Sequence, residues 1–77
     1  MPKLRGIIIP SEWDIQGNVV ALAIATDNEE EYLIDECSQT SQLKTVLREE
    51  VEVRGRFKHS AGSKKIFEIY ELTKIRH

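Results

Sequence analysis

His59 and Ser60 stand side by side in the most basic stretch of the chain, and a hydroxyl next to an imidazole is the beginning of a nucleophilic pair. A working triad also needs a carboxylate that orients the imidazole. No Asp or Glu lies close to His59 in sequence, so the residue reads as an exposed loop histidine. The run from Gly55 to Gly62-Ser63-Lys64 resembles a phosphate loop in composition alone. Its glycine spacing is wrong and Ser precedes Lys, which breaks the Walker pattern. Cys37 and His59 make two zinc ligands where a structural site takes four, so Cys37 reads as a small packed thiol. Glu29-Glu30-Glu31 lacks the offset oxygen ligands of a calcium loop and reads as a solvated turn. His77 is terminal. The expectation is a protein that is not an enzyme and carries no cofactor or metal.

A basic hairpin is the remaining candidate. Lys58, His59, Lys64 and Lys65 flank the small tip Ser60-Ala61-Gly62-Ser63. Charge is uneven along the chain. Residues 1–50 hold 4 Lys/Arg against 10 Asp/Glu, a net of −6, whereas residues 51–77 hold 7 against 3, a net of +4. The overall −2 argues against a general polyanion or membrane binder, and the asymmetry predicts a polarised surface. The competing expectation for these lysines is a solvated hairpin that keeps the domain soluble and blunts an edge.

Seventy-seven residues, 40% of them apolar, form one domain over 1–77 with a single small core. At about 0.05–0.15 kcal/mol per residue the whole fold rests on roughly 4–12 kcal/mol. Cys37 is the only cysteine, so no internal disulfide forms and a cytoplasmic location is expected. No apolar run approaches the ~18 residues of a membrane helix, and Ile7-Ile8-Ile9 is too short for a signal peptide's apolar region.

The elements that must position the hairpin follow from periodicity. Leu4 to Trp13 is a β-branched strand, with Gly6 permitting a bend and Pro10 confined to an edge, bulge or strand end. Asp14-Ile15-Gln16-Gly17-Asn18 is a turn. In the strand Val19 to Thr26, Val20, Leu22 and Ile24 alternate with Ala21, Ala23 and Ala25. Glu31 to Asp35 is a third strand. Behind the N-cap candidates of residues 37–41, Leu43, Val46 and Leu47 form the stripe of a helix of two or three turns. Val51, Val53 and Phe57 alternate with charged residues in a fourth strand, and Lys64 to Ile75 is a fifth.

A turn centred near Ala61 sets Phe67 opposite Gly55, Ile69 opposite Val53 and Glu68 opposite Arg54. Phe67 then covers the bare glycine. The alternation changes phase at Tyr70-Glu71-Leu72, which predicts a bulge. The expected core is Val20, Leu22, Ile24, Leu43, Val46, Leu47, Val53, Phe57, Phe67 and Ile69.

The order is β-β-β-α-β-β, an all-β fold with one short helix. With Leu-Arg-Gly-Ile in the first strand, Val-Arg-Gly-Arg-Phe in the fourth and the helix between strands three and four, nearly the whole chain resembles the OB-fold, the five-stranded oligonucleotide/oligosaccharide-binding barrel. The resemblance implies a ligand groove bordered by the loops at 14–18 and 58–65. It makes single-stranded DNA or RNA the expected partner, with Arg56, Lys58, Lys64 and Lys65 on phosphates. Reversal of Lys64 and Lys65 to glutamate is then expected to abolish binding. Single-strand binders also stack bases on aromatic rings. Trp13 and Tyr32 are the aromatics placed for that, with burial in the core as the competing expectation for each. The alternative is a protein-interaction module that docks a partner on a strand edge or on the alanine-rich face of strand two.

Overall fold

In a computed structural model, five strands close into a barrel; residues 2–35, 43–59 and 65–75 are described. The strands are β1 (Lys3–Trp13), β2 (Val19–Thr26), β3 (Glu31–Ile34), β4 (Glu50–His59) and β5 (Lys65–Lys74). Their order around the barrel is β1-β2-β3-β5-β4, with β4 returning to β1. All neighbours run antiparallel except β3 and β5, which are parallel through Leu33↔Ile66 and Ile34↔Phe67. The Cys37–Ser41 caps, the hairpin tip at 60–63, Lys64 and His77 lie outside the described residues.

The inward rows alternate as strand pleating requires. Ile8, Leu22, Ile24, Ile34, Val51, Val53 and Phe67 form the core with Leu43 and Val46, and Ile69, Leu47, Leu4, Tyr32 and Leu72 pack against it. The expected two- to three-turn helix is not seen among the described residues. Leu43 is helical and a 3-10 turn, Lys44–Val46, follows it, while the part of the expected helix ahead of Leu43 lies outside the described residues. Leu43 and Val46 still face the core, and Leu47 leaves the turn to bridge Ile8 in parallel. Extended backbone at Leu47 (ψ 134°) and left-handed Arg48 (φ 65°) end the helical stretch on its C-terminal side.

The hairpin register is shifted by two from expectation. Phe67 pairs with Phe57, Glu68 with Arg56 and Ile69 with Gly55, because the turn centres on residue 62 rather than 61. Arg54 therefore faces Glu71, not Glu68. The bulge falls where the phase change put it. Gly55 pairs with Ile69 and Arg54 with Glu71, leaving Tyr70 as the extra residue that turns Leu72 inward opposite Val53. Gly55 is not roofed by Phe67: a Cβ there would overlap the carbonyl oxygen of Glu68. The β5 backbone itself fills the space. Gly6 is in the same position against the carbonyl of Ala25.

Two residues of the expected core are exposed. Val20 is 54% accessible. The β1–β2 ladder slips after Pro10 and again after Glu12, leaving Ser11 unpaired on β1 and Val20 unpaired on β2. Val20 thereby leaves the inward row. Phe57 is 45% accessible although it continues the row of Val51 and Val53, since that row runs out of barrel at its last position. Ile8, Ile34 and Val51 are core residues outside the expected core, although Val51 belongs to the alternating row of the fourth strand.

The β1–β2 turn is held by one side chain. The Asp14 carboxylate accepts from the backbone N–H of Gln16 (2.9 Å), the N–H of Asn18 (2.8 Å) and the Asn18 amide (3.2 Å), and Gly17 supplies φ 88°. These bonds, the one from the Asn18 N–H foremost, hold the Asp14 carboxyl below its ordinary pKa. A depressed carboxyl stabilises the fold above its unfolded pKa and loses that effect as pH falls through the folded one. Asp14→Asn is expected to lower the melting temperature at neutral pH, with the gap to wild type closing in strong acid. A gap independent of pH would separate the hairpin's stability from that charge.

Phe67 is fully buried beneath the barrel rim. Phe67→Ala is expected to cost about 3–5 kcal/mol in chemical denaturation, a large part of the total, whereas Val20→Ala costs less than about 0.5 kcal/mol. Equal losses from the two variants would contradict the observed inward row.

Candidate functional site

Phe57 is exposed because β4 carries it past Val53 and Gly55 to the rim. Tyr32 reaches the same rim from β3, one step beyond buried Ile34. The two rings meet there with centroids 5.5 Å apart at 47°. Phe57 stands edge-on to Phe67 at 5.1 Å, so the pair is seated on the core. Both geometries lie in the favourable range for tilted aromatic contacts. Tyr32, Phe57, Lys58, Lys65 and Ile66 line a cleft of about 360 Å³.

The cations at this cleft are held by the protein's own carboxylates. Lys65 places Nζ 5.5 Å from the Tyr32 centroid, a cation–π distance, and 3.6 Å from Glu30 Oε1. The Tyr32 hydroxyl donates to Glu30 Oε2 at 2.7 Å. That bond, with the Lys65 charge beside it, holds the Glu30 carboxyl below its ordinary pKa; the same bond, with burial and the Glu30 charge, pushes the Tyr32 phenol up. Lys58 donates to Asp35 Oδ2 at 2.8 Å and lies 3.8 Å from Glu68 Oε2. Arg56 Nε sits 3.0 Å from Glu68 Oε1 on the outer face of the hairpin. The acidic half of the chain thus folds against the basic half, and the hairpin is not a bare positive patch.

Of the residues singled out by sequence, the fold brings Tyr32, Lys58 and Lys65 together at one cleft, with Arg56 joined to Lys58 through Glu68. Lys64 lies outside the described residues. Trp13 sits at the other end of β1, 56% exposed rather than in the core, opposite Val19, and lines neither rim cleft. His59 closes β4 opposite Lys65 instead of lying in the loop. Phe57 is the residue that pattern reading missed as a site. The signal was present in its place at the strand end, three residues before the small tip, where an inward side chain has no further layer to cover it.

The alanine-rich face of β2 is not a flat open surface. Ala23 is 3% accessible, between its cross-strand partners Ile9 and Leu33. It floors a shallow cleft of about 320 Å³ whose walls include Glu12, Glu31 and Lys65. Each of the five strands has a partner strand on both sides, so along the paired stretches no edge is open for strand addition. Among the described residues no group of three or more His, Cys, Asp or Glu could hold a metal ion. Among them too, no helix is long and apolar enough to cross a membrane.

No protein-family model matches the chain, and neither the curated proteins nor the solved structures contain a match.

Glu30→Ala removes both the acceptor and the charge that perturb Tyr32. The phenol is expected to titrate at lower pH than in wild type, read as phenolate absorbance. An unchanged titration would show that Tyr32 does not donate to Glu30 in solution.

Proposed function

We propose that the chain is a small non-enzymatic binding module of the OB type that takes single-stranded nucleic acid at the barrel rim. A base stacks on exposed Phe57 and against the accessible edge of half-buried Tyr32, and Lys58 and Lys65 meet the flanking phosphates. The observation that carries this reading is the pairing of exposed Phe57 with half-buried Tyr32, ring centroids 5.5 Å apart, beside two lysines on one cleft. Single-strand binders combine those two features, because every base offers a π-face and every linkage a charge. The OB assignment is supported by the strand order β1-β2-β3-β5-β4 with parallel β3 and β5, and by the 3-10 turn that plugs the core between β3 and β4.

The same geometry sets the strength of binding. Phosphate must displace Glu30 from Lys65 and Asp35 from Lys58, and the net charge of the chain is −2. Binding is therefore weak and steep in salt, with a log–log slope of about 0.7 per phosphate contact on a single strand. Docking of a partner protein's apolar side chain is the second reading, favoured by the mostly apolar lining of Tyr32, Phe57 and Ile66.

Fluorescence anisotropy with single-stranded DNA and RNA at low and raised salt tests the first reading. Phe57→Ala is expected to weaken binding by about 1–3 kcal/mol with little change in melting temperature. Lys65→Glu is expected to abolish it. Absence of binding at low salt, or binding indifferent to both changes, would reject nucleic acid and leave protein docking.

A further inference from the structure

Tyr32 is a wall of two clefts. The second, of about 320 Å³, is lined by Lys3, Leu4, Arg5, the β2–β3 turn from Thr26 to Asn28, and Glu30. Its position follows from closure. β4 returns to β1 with Lys3 opposite Arg54 and Leu4 opposite Val53, which brings the start of β1 to the rim that carries Phe57 and Tyr32. The turn is a tight one: the Thr26 N–H donates to Glu30 O at 2.8 Å, the Glu29 N–H donates to Thr26 O at 3.1 Å, and Glu29 adopts φ 63°. This fixes Asp27 and Asn28 over the cleft. Leu4 and Tyr32 give it an apolar side, and Asn28, Asp27 and Glu30 give it donors and acceptors. Its two cations repeat the arrangement of the first cleft. Lys3 Nζ is 3.8 Å from Glu52 Oε1 and Arg5 Nη2 is 3.6 Å from Glu50 Oε1, with both basic side chains about half exposed.

We infer that the second cleft takes the nucleotide next to the one held at Phe57, so that a single strand crosses the rim over Tyr32. Its phosphates run from Lys58 and Lys65 to Lys3 and Arg5. This rests on the reading of the first cleft as a nucleic-acid site and extends it in one respect. By sequence, the phosphate contacts belong to the basic C-terminal segment alone. The closed barrel instead adds two cations from the acidic half, and the residues that bind a strand form an arc rather than a point. Asn28 and Glu30 can hydrogen-bond the edge of a base, while the ring of Tyr32 separates consecutive units.

The test uses thymidine monophosphate and oligothymidylates of increasing length with the full chain at low salt. Affinity is expected to rise about tenfold, the equivalent of ~1.4 kcal/mol, once the strand is long enough to reach both clefts. Lys3→Ala with Arg5→Ala should remove that rise and lower the salt slope for the long strand by about 0.7 per lost contact, while mononucleotide affinity stays as in wild type. The unaltered protein provides a second readout. Backbone amide resonances of Thr26, Asp27 and Asn28 should shift with the long strand and not with the mononucleotide. A length dependence that survives the double substitution, or no rise with length, or silent turn resonances, would overturn the second cleft. Binding of no probe, or binding insensitive to Phe57→Ala, would instead reject the first cleft and the second with it.

Discussion

Closure of five strands around so small a core demands that neighbouring backbones approach more closely than side chains permit. Gly6 and Gly55 meet that demand. At each, a Cβ would overlap a carbonyl oxygen of the adjacent strand, Ala25 in one case and Glu68 in the other. Glycine inside a strand ordinarily weakens it, and its use here marks the places where the sheet must coil tightly. Much else depends on these two contacts. Gly6 lies where β1 is shared between β2 and β4, facing Thr26 on one side and Val51 on the other. Gly55 lies at the Tyr70 bulge, where β5 changes phase so that Leu72 rejoins the inward row. The rim, with its aromatic pair, is what remains of β4 and β3 after the barrel has closed below it.

Charge on the outer surface is arranged in opposed pairs rather than in patches. Lys3–Glu52, Arg5–Glu50, Arg54–Glu71, Arg56–Glu68 and Lys74–Glu49 run across neighbouring strands. Each is half exposed or more on at least one side and contributes little to stability, typically 0–1 kcal/mol. Their effect is to choose partners: the β4–β5 register sets Arg54 opposite Glu71 and Arg56 opposite Glu68, and the β1–β4 register sets Arg5 opposite Glu52, with Lys3 reaching Glu52 diagonally. Acids of residues 1–50 meet bases of residues 51–77 at Lys74–Glu49 and, at the rim, at Lys65–Glu30 and Lys58–Asp35.

The strands were legible because their alternation is strong. All five lie within a residue or two of the bounds that the pattern predicts, and the phase change at Tyr70 is a true bulge. Three things were not legible, each for a physical reason. The stripe Leu43, Val46, Leu47 fits one helix face, but Leu47 lies past the 3-10 turn and is drawn into a bridge with Ile8. The register of the β4–β5 hairpin depends on the turn centre, and the small residues around Ala61 and Gly62 fit either. Exposure of Val20 and Phe57 depends on where ladders slip and where strands end, which periodicity does not encode. For the site, the lysines and Tyr32 were visible by type, whereas Phe57 looked like core.

The pairing of β1 with β4 has a consequence for the order of events in the life of the chain. β1 is synthesised first, and β2 can pair with it at once through the short Asp14–Asn18 turn. Its other side, from Lys3 to Ile7, waits for a partner that is made only after most of the chain has emerged. Contacts so distant in sequence are slow to form. During that interval the isoleucine-rich strand presents unsatisfied backbone groups, the condition under which nascent β proteins pair with the wrong neighbour. Lys3 and Arg5 stand on that waiting stretch with Pro2 just before it. Charge and proline at an open edge discourage such encounters, and in the closed barrel Lys3 and Arg5 pair with Glu52 and Glu50.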